Sequence, residues 1–356
     1  MHRKGQRETA LLTSWGKTKV AVQCWHCCDC GKKGHSLLPG LDKSGLSPRT
    51  LERVLDLSVR LPYRESQAAL GIQGIELEVS HCERLSQGYG TTLYEQVYRD
   101  FEEFANQPLA QNKQPSSRVQ VIQADGVFVI EKDKPVKGSC EGREVKHVLV
   151  YPLEKPEERH SIACSDSEHF QTLAHGLLRH AQVQQYDTLV GLADGSAWID
   201  NLFEDLGITV RILDVYHATL YLDKVMLALG WNEEQRLAER CSWLRGDINA
   251  KVWLNHYIPH NPEVWLTWAD EAQAALAYLD KRLEQMNYFD FRELGYPIGS
   301  GQIEGANKSV IGARMKRGGM RWSHQGINRM ALLRSQQCSA KPFLDFHSIR
   351  LLAFAS

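Results

Sequence analysis

Three acidic residues stand where an acid is costly. Asp125 interrupts the apolar run Arg118-Val-Gln-Val-Ile-Gln-Ala-Asp125-Gly-Val-Phe-Val-Ile130, and Asp194 ends the run Asp187-Thr-Leu-Val-Gly-Leu-Ala-Asp194. Glu304 is the lone acid of a cationic segment: from Glu304 to Arg334 it faces seven Lys or Arg residues. Burying one acid in an apolar strand is unfavourable, and converging carboxylates repel unless one is protonated or a cation lies between them. Mg2+ (or Mn2+) answers that problem, because it takes oxygen ligands and leaves room for water and phosphate oxygens. Lys308, Arg314, Lys316, Arg317 and Arg321, which follow Glu304, have the chemistry to hold phosphates. The pattern is that of a metal-dependent enzyme acting on nucleic acid. Each acid alone has a plainer reading, Asp-Gly being a favoured turn pair and a first-turn Glu complementing the helix dipole. Their joint occurrence at three elements is harder to assign to chance.

The elements that must position these acids can be read from periodicity. Residues 118–130, 146–153, 160–164, 187–194 and 209–214 are short, β-branched and apolar, as strands are. Helical patterns at 168–185 and 197–206 separate the last three, the second capped by Ser196 or Gly195. Three strands in a meander, then helix, strand, helix, strand, is the element order of an RNase H-like α/β fold, in which the first and fourth strands are neighbours. That pairing would bring Asp125 and Asp194 together. Glu304 would arrive on a helix starting among the glycines at 299, 301 and 305.

The rest of the chain divides around this core. Residues 46–106 read as a small helical domain: a helix from Ser47 or Pro48, another at 63–71, a third at 77–85 and an acidic one at 94–106. Three short helices with a Gly-containing turn between the last two are compatible with a helix-turn-helix unit that touches DNA. The Gln/Pro/Ser-rich stretch 107–117 reads as a linker. Residues 118–216 and 295–335 would form the catalytic core, 217–294 a helical insertion with helices at 217–229, 233–254 and 262–286, and 336–356 a tail. Residues 1–45 are basic, and Cys24-Trp-His-Cys27-Cys28-Asp-Cys30-Gly31 contains one Cys-x-x-Cys-Gly knuckle of a zinc ribbon. Cys27 and Cys30 would supply two of the four ligands to Zn2+, with Cys24, Cys28, His26 or His35 as cramped candidates for the others. Free thiols on a leftover half-site are the alternative.

Composition sets outer bounds. The 356 residues are 43% hydrophobic and 24% charged, with a formal net charge of −1, which describes an ordinary globular chain and argues against indiscriminate coating of DNA. Charge is unevenly placed, however, since residues 1–60 carry 11 Lys/Arg and 5 Asp/Glu. No apolar run approaches the roughly 20 residues of a membrane span, and the N-terminus lacks a signal-peptide core, so a cytoplasmic location is expected. Nine cysteines, five of them scattered singly (Cys82, Cys140, Cys164, Cys241, Cys338), suit reduced thiols.

Four blocks carry a family resemblance. Ala124-Asp125-Gly126, Ala193-Asp194-Gly195-Ser-Ala-Trp198, Asp214-Val-Tyr-His217 and Gly299-Ser-Gly-Gln-Ile-Glu304 through Gly-Met-Arg-Trp322-Ser resemble the blocks of Kra-type bacterial insertion-sequence transposases, relatives of the Mutator superfamily. The resemblance runs from about Cys27 to Arg334. It implies a DDE triad of Asp125, Asp194 and Glu304 holding Mg2+, with Asp214 and His217 as the D-x-x-H element. His217 would join the catalytic set by orienting a carboxylate or contacting the scissile phosphate, the alternative being a ring that only satisfies Asp214 in the core, and Asp214 and Trp198 would be accessory. It further implies cleavage and strand transfer at transposon ends, double-stranded DNA as partner, a homo-oligomeric synaptic complex and a nucleoid-associated location in a bacterial cytoplasm. Family members usually carry a complete zinc ribbon where this chain has one knuckle. A truncated or decayed copy that only binds DNA, and a host-type RNase H-like nuclease, are the competing expectations.

Overall fold

The computed structural model describes residues 2–35, 44–105, 109, 118–132 and 142–349. The expected linker, apart from Leu109, lies outside the described residues, as do Cys140 and the end of the C-terminal tail.

At the N-terminus, β1 (His2–Thr13), β2 (Gly16–His26) and β3 (Lys33–His35) form a three-stranded antiparallel sheet. The hairpin turns at Gly16, whose φ of +104° only glycine adopts readily. Of β1 and β2, only Leu11 and Val22 are buried. These strands were not anticipated around the cysteine knuckle, because a sheet that buries almost nothing has no apolar period to read.

Next, α1 (Pro48–Arg60) starts at Ser47, whose side chain accepts from the Thr50 N–H, and buries Leu51, Val54, Leu55 and Val59. After α2 (Tyr63–Ile72), Gly74 turns the chain at φ +76°. The expected third and acidic helices are one: α3 runs unbroken over 27 residues, Val79–Ala105. Gly88 and Gly90 lie inside it without interrupting it. A Cβ on Gly90 would lie 3.0 Å from the Cβ of Arg329, so close packing of another helix, rather than a turn, accounts for that glycine.

The central sheet comprises β4 (Val119–Ile130), β5 (Gly142–Pro152), β6 (His160–Cys164), β7 (Thr188–Ala193) and β8 (Val210–Leu213), in the order β6-β5-β4-β7-β8. The first three are antiparallel, and β7 and β8 run parallel to β4. The first strand therefore lies beside the fourth, as the element order requires. Between β6 and β7 comes α4 (Ser167–His180), N-capped by Asp166, and between β7 and β8 comes α5 (Ala197–Asp205).

The insertion opens with α6 (Val215–Ala228), followed by α7 (Glu233–Leu244), α8 (Ala250–Tyr257), α9 (Pro262–Trp265), α10 (Asp270–Asp280) and α11 (Tyr288–Glu293). Two long helices expected here are broken. Gly246 at φ +72° stops the first, and Asn249 caps its continuation. The second is interrupted before α10 and again after Asp280, where a 3-10 turn spans Leu283–Met286. Trp243 and Trp253 are buried in a separate hydrophobic core that also takes in Val190 and Leu192 of β7 and Leu213 of β8. The chain returns through α12 (Gly301–Ala306), a π-helical turn (Asn307–Gly312), α13 (Ala313–Met315) and α14 (His324–Cys338), the last packed on β6 and α3. No helix among the described residues is long and apolar enough to cross a membrane.

Candidate active site

The register of one strand pair places two of the acids. β4 and β7 pair from Val119–Thr188 to Gln123–Leu192, and β7 ends at Ala193. Asp125 and Asp194, each two residues beyond the last pair, lie together where the ladder opens. The carboxyl ends of parallel strands are where side chains can leave a core and meet a ligand. Asp125 remains paired on its other side, opposite His147 of β5.

Glu304 reaches the same place from 179 residues downstream of Asp125 by a side-chain tether. Buried Gln123 accepts a 2.9 Å hydrogen bond from the Ile303 N–H, and its own amide donates to Tyr151 Oη at 3.0 Å. The first turn of α12 is thus attached to β4 two residues before Asp125. Asp125 and Glu304 line one cleft of about 520 Å³, together with Asn307, Lys308 and Lys316.

Each carboxylate has donors of its own. Asp125 accepts from the Gly126 N–H at 2.7 Å and from Asn307 Nδ2 at 2.6 Å. Asp194 accepts from the N–H and hydroxyl of Ser196, and Glu304 from the Ser300 hydroxyl at 3.0 Å. Burial pushes the Asp125 carboxyl above its ordinary range; the Gly126 N–H works against this, and repulsion from Asp194 and then Glu304 adds to it. Among the described residues no three acid, His or Cys side chains converge closely enough to hold one ion as they stand.

Asp214 and His217 form the expected local pair. Asp214 Oδ1 caps α6 by accepting from the His217 N–H at 2.8 Å and meets His217 Nδ1 at 2.9 Å. Its Oδ2 accepts from the Ser300 N–H at 2.6 Å, so this buried acid also fixes the loop that leads to Glu304. Burial alone would raise Asp214, but the hydrogen bonds from His217 and Ser300 outweigh it and hold the group below the usual carboxylate range. His217 is raised, first by its bond to Asp214, against the opposing effect of burial, with Asp194 and Asp125 adding attraction. Half-buried, it faces the acids as a cation-prone ring. Trp198 packs edge-on against Phe170 with Lys146 Nζ 5.0 Å from its ring, which is a packing position.

Asn307 and His147 were missed. Asn307 spends its amide N–H on Asp125 and its Oδ1 on His147 Nδ1 at 2.7 Å. His147 is fully buried and pushed down to about 4 by that burial, so it stays neutral with its proton on Nδ1. A polar residue three positions after Glu304, on the side of the helix that meets Asp125, was the available signal.

The expected row of DNA-binding cations is divided. Lys308 and Lys316 are exposed in the acid cleft. Arg314 is not on that surface: it is 1% exposed, donates from Nε to Ser58 O at 3.1 Å and lies between the rings of Tyr63 and Trp322. Arg317 pairs with Glu65 at 2.8 Å, and Arg321 opens on a different cleft. Arg334, also buried, donates to Ser309 O and Val310 O of the π turn. Two acids of the inserted helices pair with nearby lysines, Glu271 with Lys224 and Glu284 with Lys251.

Cys27 and Cys30 are brought together by a tight turn in which the Gly31 N–H donates to Cys27 O at 3.0 Å and Gly31 takes φ +66°. Backbone N–H groups of Cys30 and Asp29, and the Cys30 side chain, lower the Cys27 thiol below its ordinary range. Among the described residues nothing joins them as a third ligand. No protein-family model matches the chain, and a search of curated proteins also finds no match.

Proposed function

We propose that the chain is a DDE transposase of the Kra type, with an RNase H-like core that cleaves insertion-sequence ends and joins them to target DNA. What supports this reading is that Asp125 and Asp194 lie side by side at the open end of the β4–β7 pair, with the Glu304 helix tethered to β4 through Gln123. The donor set suits a divalent cation: three oxygen ligands of one sign, with Asp125 raised partly by the other two. Asp125, Asp194 and Glu304 would hold Mg2+ or Mn2+. When bound, the metal supplies Lewis acidity that makes water or a 3′-hydroxyl a nucleophile and steadies the departing 3′-oxygen.

The chain's own residues do the remainder. Lys308 and Lys316 orient the phosphodiester in the cleft, and His217, held by Asp214, stands ready to pass a proton among the acids. Double-stranded DNA is the partner, and a homo-oligomer would bring two ends together in the bacterial cytoplasm. Zn2+ has no place in these steps, since Cys27 and Cys30 amount to half of a tetrahedral site. A second reading, a protein that binds DNA without cutting it, is favoured by one observation: each acid is already engaged by donors of its own, Asp125 by Gly126 and Asn307, Asp194 by Ser196 and Glu304 by Ser300.

Duplexes covering the DNA that flanks the gene distinguish these readings. Mg2+-dependent release of a 3′-hydroxyl at an end, followed by its joining to a second duplex, is expected. Cleavage without joining would make the protein a nuclease, and retention of DNA without cleavage would leave the binding-only reading.

A further inference from the structure

A second polar cleft, of about 360 Å³, lies at the seam between the helical domain and the central sheet, and the acids of the active site do not line it. Tyr63 of α2 and Gln87 of α3 wall one side, and Lys132, Arg321 and Arg329 the other. Backbone bonds hold the second wall: the Trp322 N–H donates to Ile130 O, and the Lys132 N–H donates to Trp322 O at 2.7 Å. Ser323, the N-cap of the 15-residue α14, lines the cleft too, so the positive end of a helix opens on it. Among the described residues Glu83 is the one acid that lines it.

Arg314 also lines this cleft. Its guanidinium is 1% exposed, yet Nη2 has no hydrogen-bond partner, and the contacts made by Nε and Nη1 are to the Ser58 carbonyl and the Met320 sulfur. Leaving a guanidinium N–H buried and unbonded is unfavourable, and the two aromatic faces beside it compensate only in part. An anion in the cleft would meet three cations and the start of a helix, with the buried guanidinium of Arg314 beneath them, against the one acid Glu83.

We propose that this cleft binds a backbone phosphate of nucleic acid. The site is separate from the acid cleft and fastens the duplex where the helical domain meets the core. The proposal rests on the nucleic-acid reading above for its occupant but not on cleavage. Arg321 and Arg329 are the direct contacts, and Arg314 sets the potential beneath them.

The test is thermal denaturation of the full chain in inorganic phosphate against chloride at matched ionic strength. The melting temperature is expected to rise with millimolar phosphate in the wild type and in Lys308→Ala/Lys316→Ala, but not in Arg321→Ala/Arg329→Ala. Alanine keeps the Arg329 Cβ that packs on Gly90, so the double variant should fold. Absence of the phosphate response in the wild type, or its persistence in Arg321→Ala/Arg329→Ala, would overturn the site. With unrelated duplex DNA at saturation, the phosphate response should vanish. If the two stabilisations simply add, the cleft takes free phosphate and the nucleic-acid assignment is wrong. Neither measurement depends on cleavage, so a failure here is distinguishable from an inactive enzyme.

Discussion

The segment that carries Glu304 uses most of its polar residues in opposite ways on either side of Gly312. Before it, Glu304 and Lys308 are exposed and Asn307 is buried, and all three line the cleft of Asp125. After it, Lys316 returns to that cleft, but Arg314 and Arg334 are turned inward and bonded to backbone carbonyls, one of α1 and two of the π turn itself. By sequence alone the two halves are one basic stretch. The difference teaches that net charge cannot tell a cation that meets a ligand from one that holds the fold, because burial and partners decide it.

Replacing the acids should test the first half most severely. Asp125→Asn, Asp194→Asn and Glu304→Gln are each expected to lower strand cleavage by at least two orders of magnitude, roughly 3 kcal/mol of transition-state stabilisation, with little change in melting temperature. Near-normal cleavage by any one variant would remove that residue from the triad.

The second half should respond in the opposite sense. Arg334→Met strips the donors from two π-turn carbonyls and is expected to lower stability by about 2 kcal/mol in chemical denaturation. Cleavage per folded molecule should fall far less than in the acid variants. A stable Arg334→Met protein that has lost its activity would place Arg334 with the chemistry rather than with the fold.

His147 offers a pH test of how firmly the two halves of the site are joined. Buried and neutral when folded, with a pKa of about 4, it takes a proton near 6.5 once unfolded. The unfolded state therefore binds more protons between those values, and stability should fall as pH drops from about 6.5 to 4, by at most about 3 kcal/mol from this group, then level off. Denaturation midpoints across that range should show a shallower acid limb in His147→Gln. An identical slope would mean that other groups set it.

The smallest effect concerns the exposed lysines. Lys308→Ala/Lys316→Ala should leave the melting temperature unchanged and reduce the log–log salt slope of duplex binding by about one per lost contact. Arg317→Ala should change that slope less, because its charge is already shared with Glu65.

Much of this arrangement was legible beforehand, for reasons that can be named. The five central strands declared themselves because each is apolar and β-branched, and Asp125 and Asp194 stood out against that background. Glu304 stood out as one acid among cations. What could not be read depends on distant partners. Arg314 turns inward because Ser58 and Tyr63, some 250 positions away, are there to receive it. Gly90 sits inside α3 because Arg329 of another helix packs against it, and Asn307 matters because His147 lies across the sheet from Asp125.

The π turn between the two halves has one more consequence. A π turn holds an extra residue relative to the α-helix, and each residue of an α-helix advances the phase by about 100°. An uninterrupted α-helix of the same length over these positions would swing one half by about that angle against the other. Glu304 could then keep its place at the strand ends, or Arg314 its slot between Tyr63 and Trp322, but not both. The wider winding of these six positions is therefore what lets one segment serve both the acid cleft and the buried arginine slot.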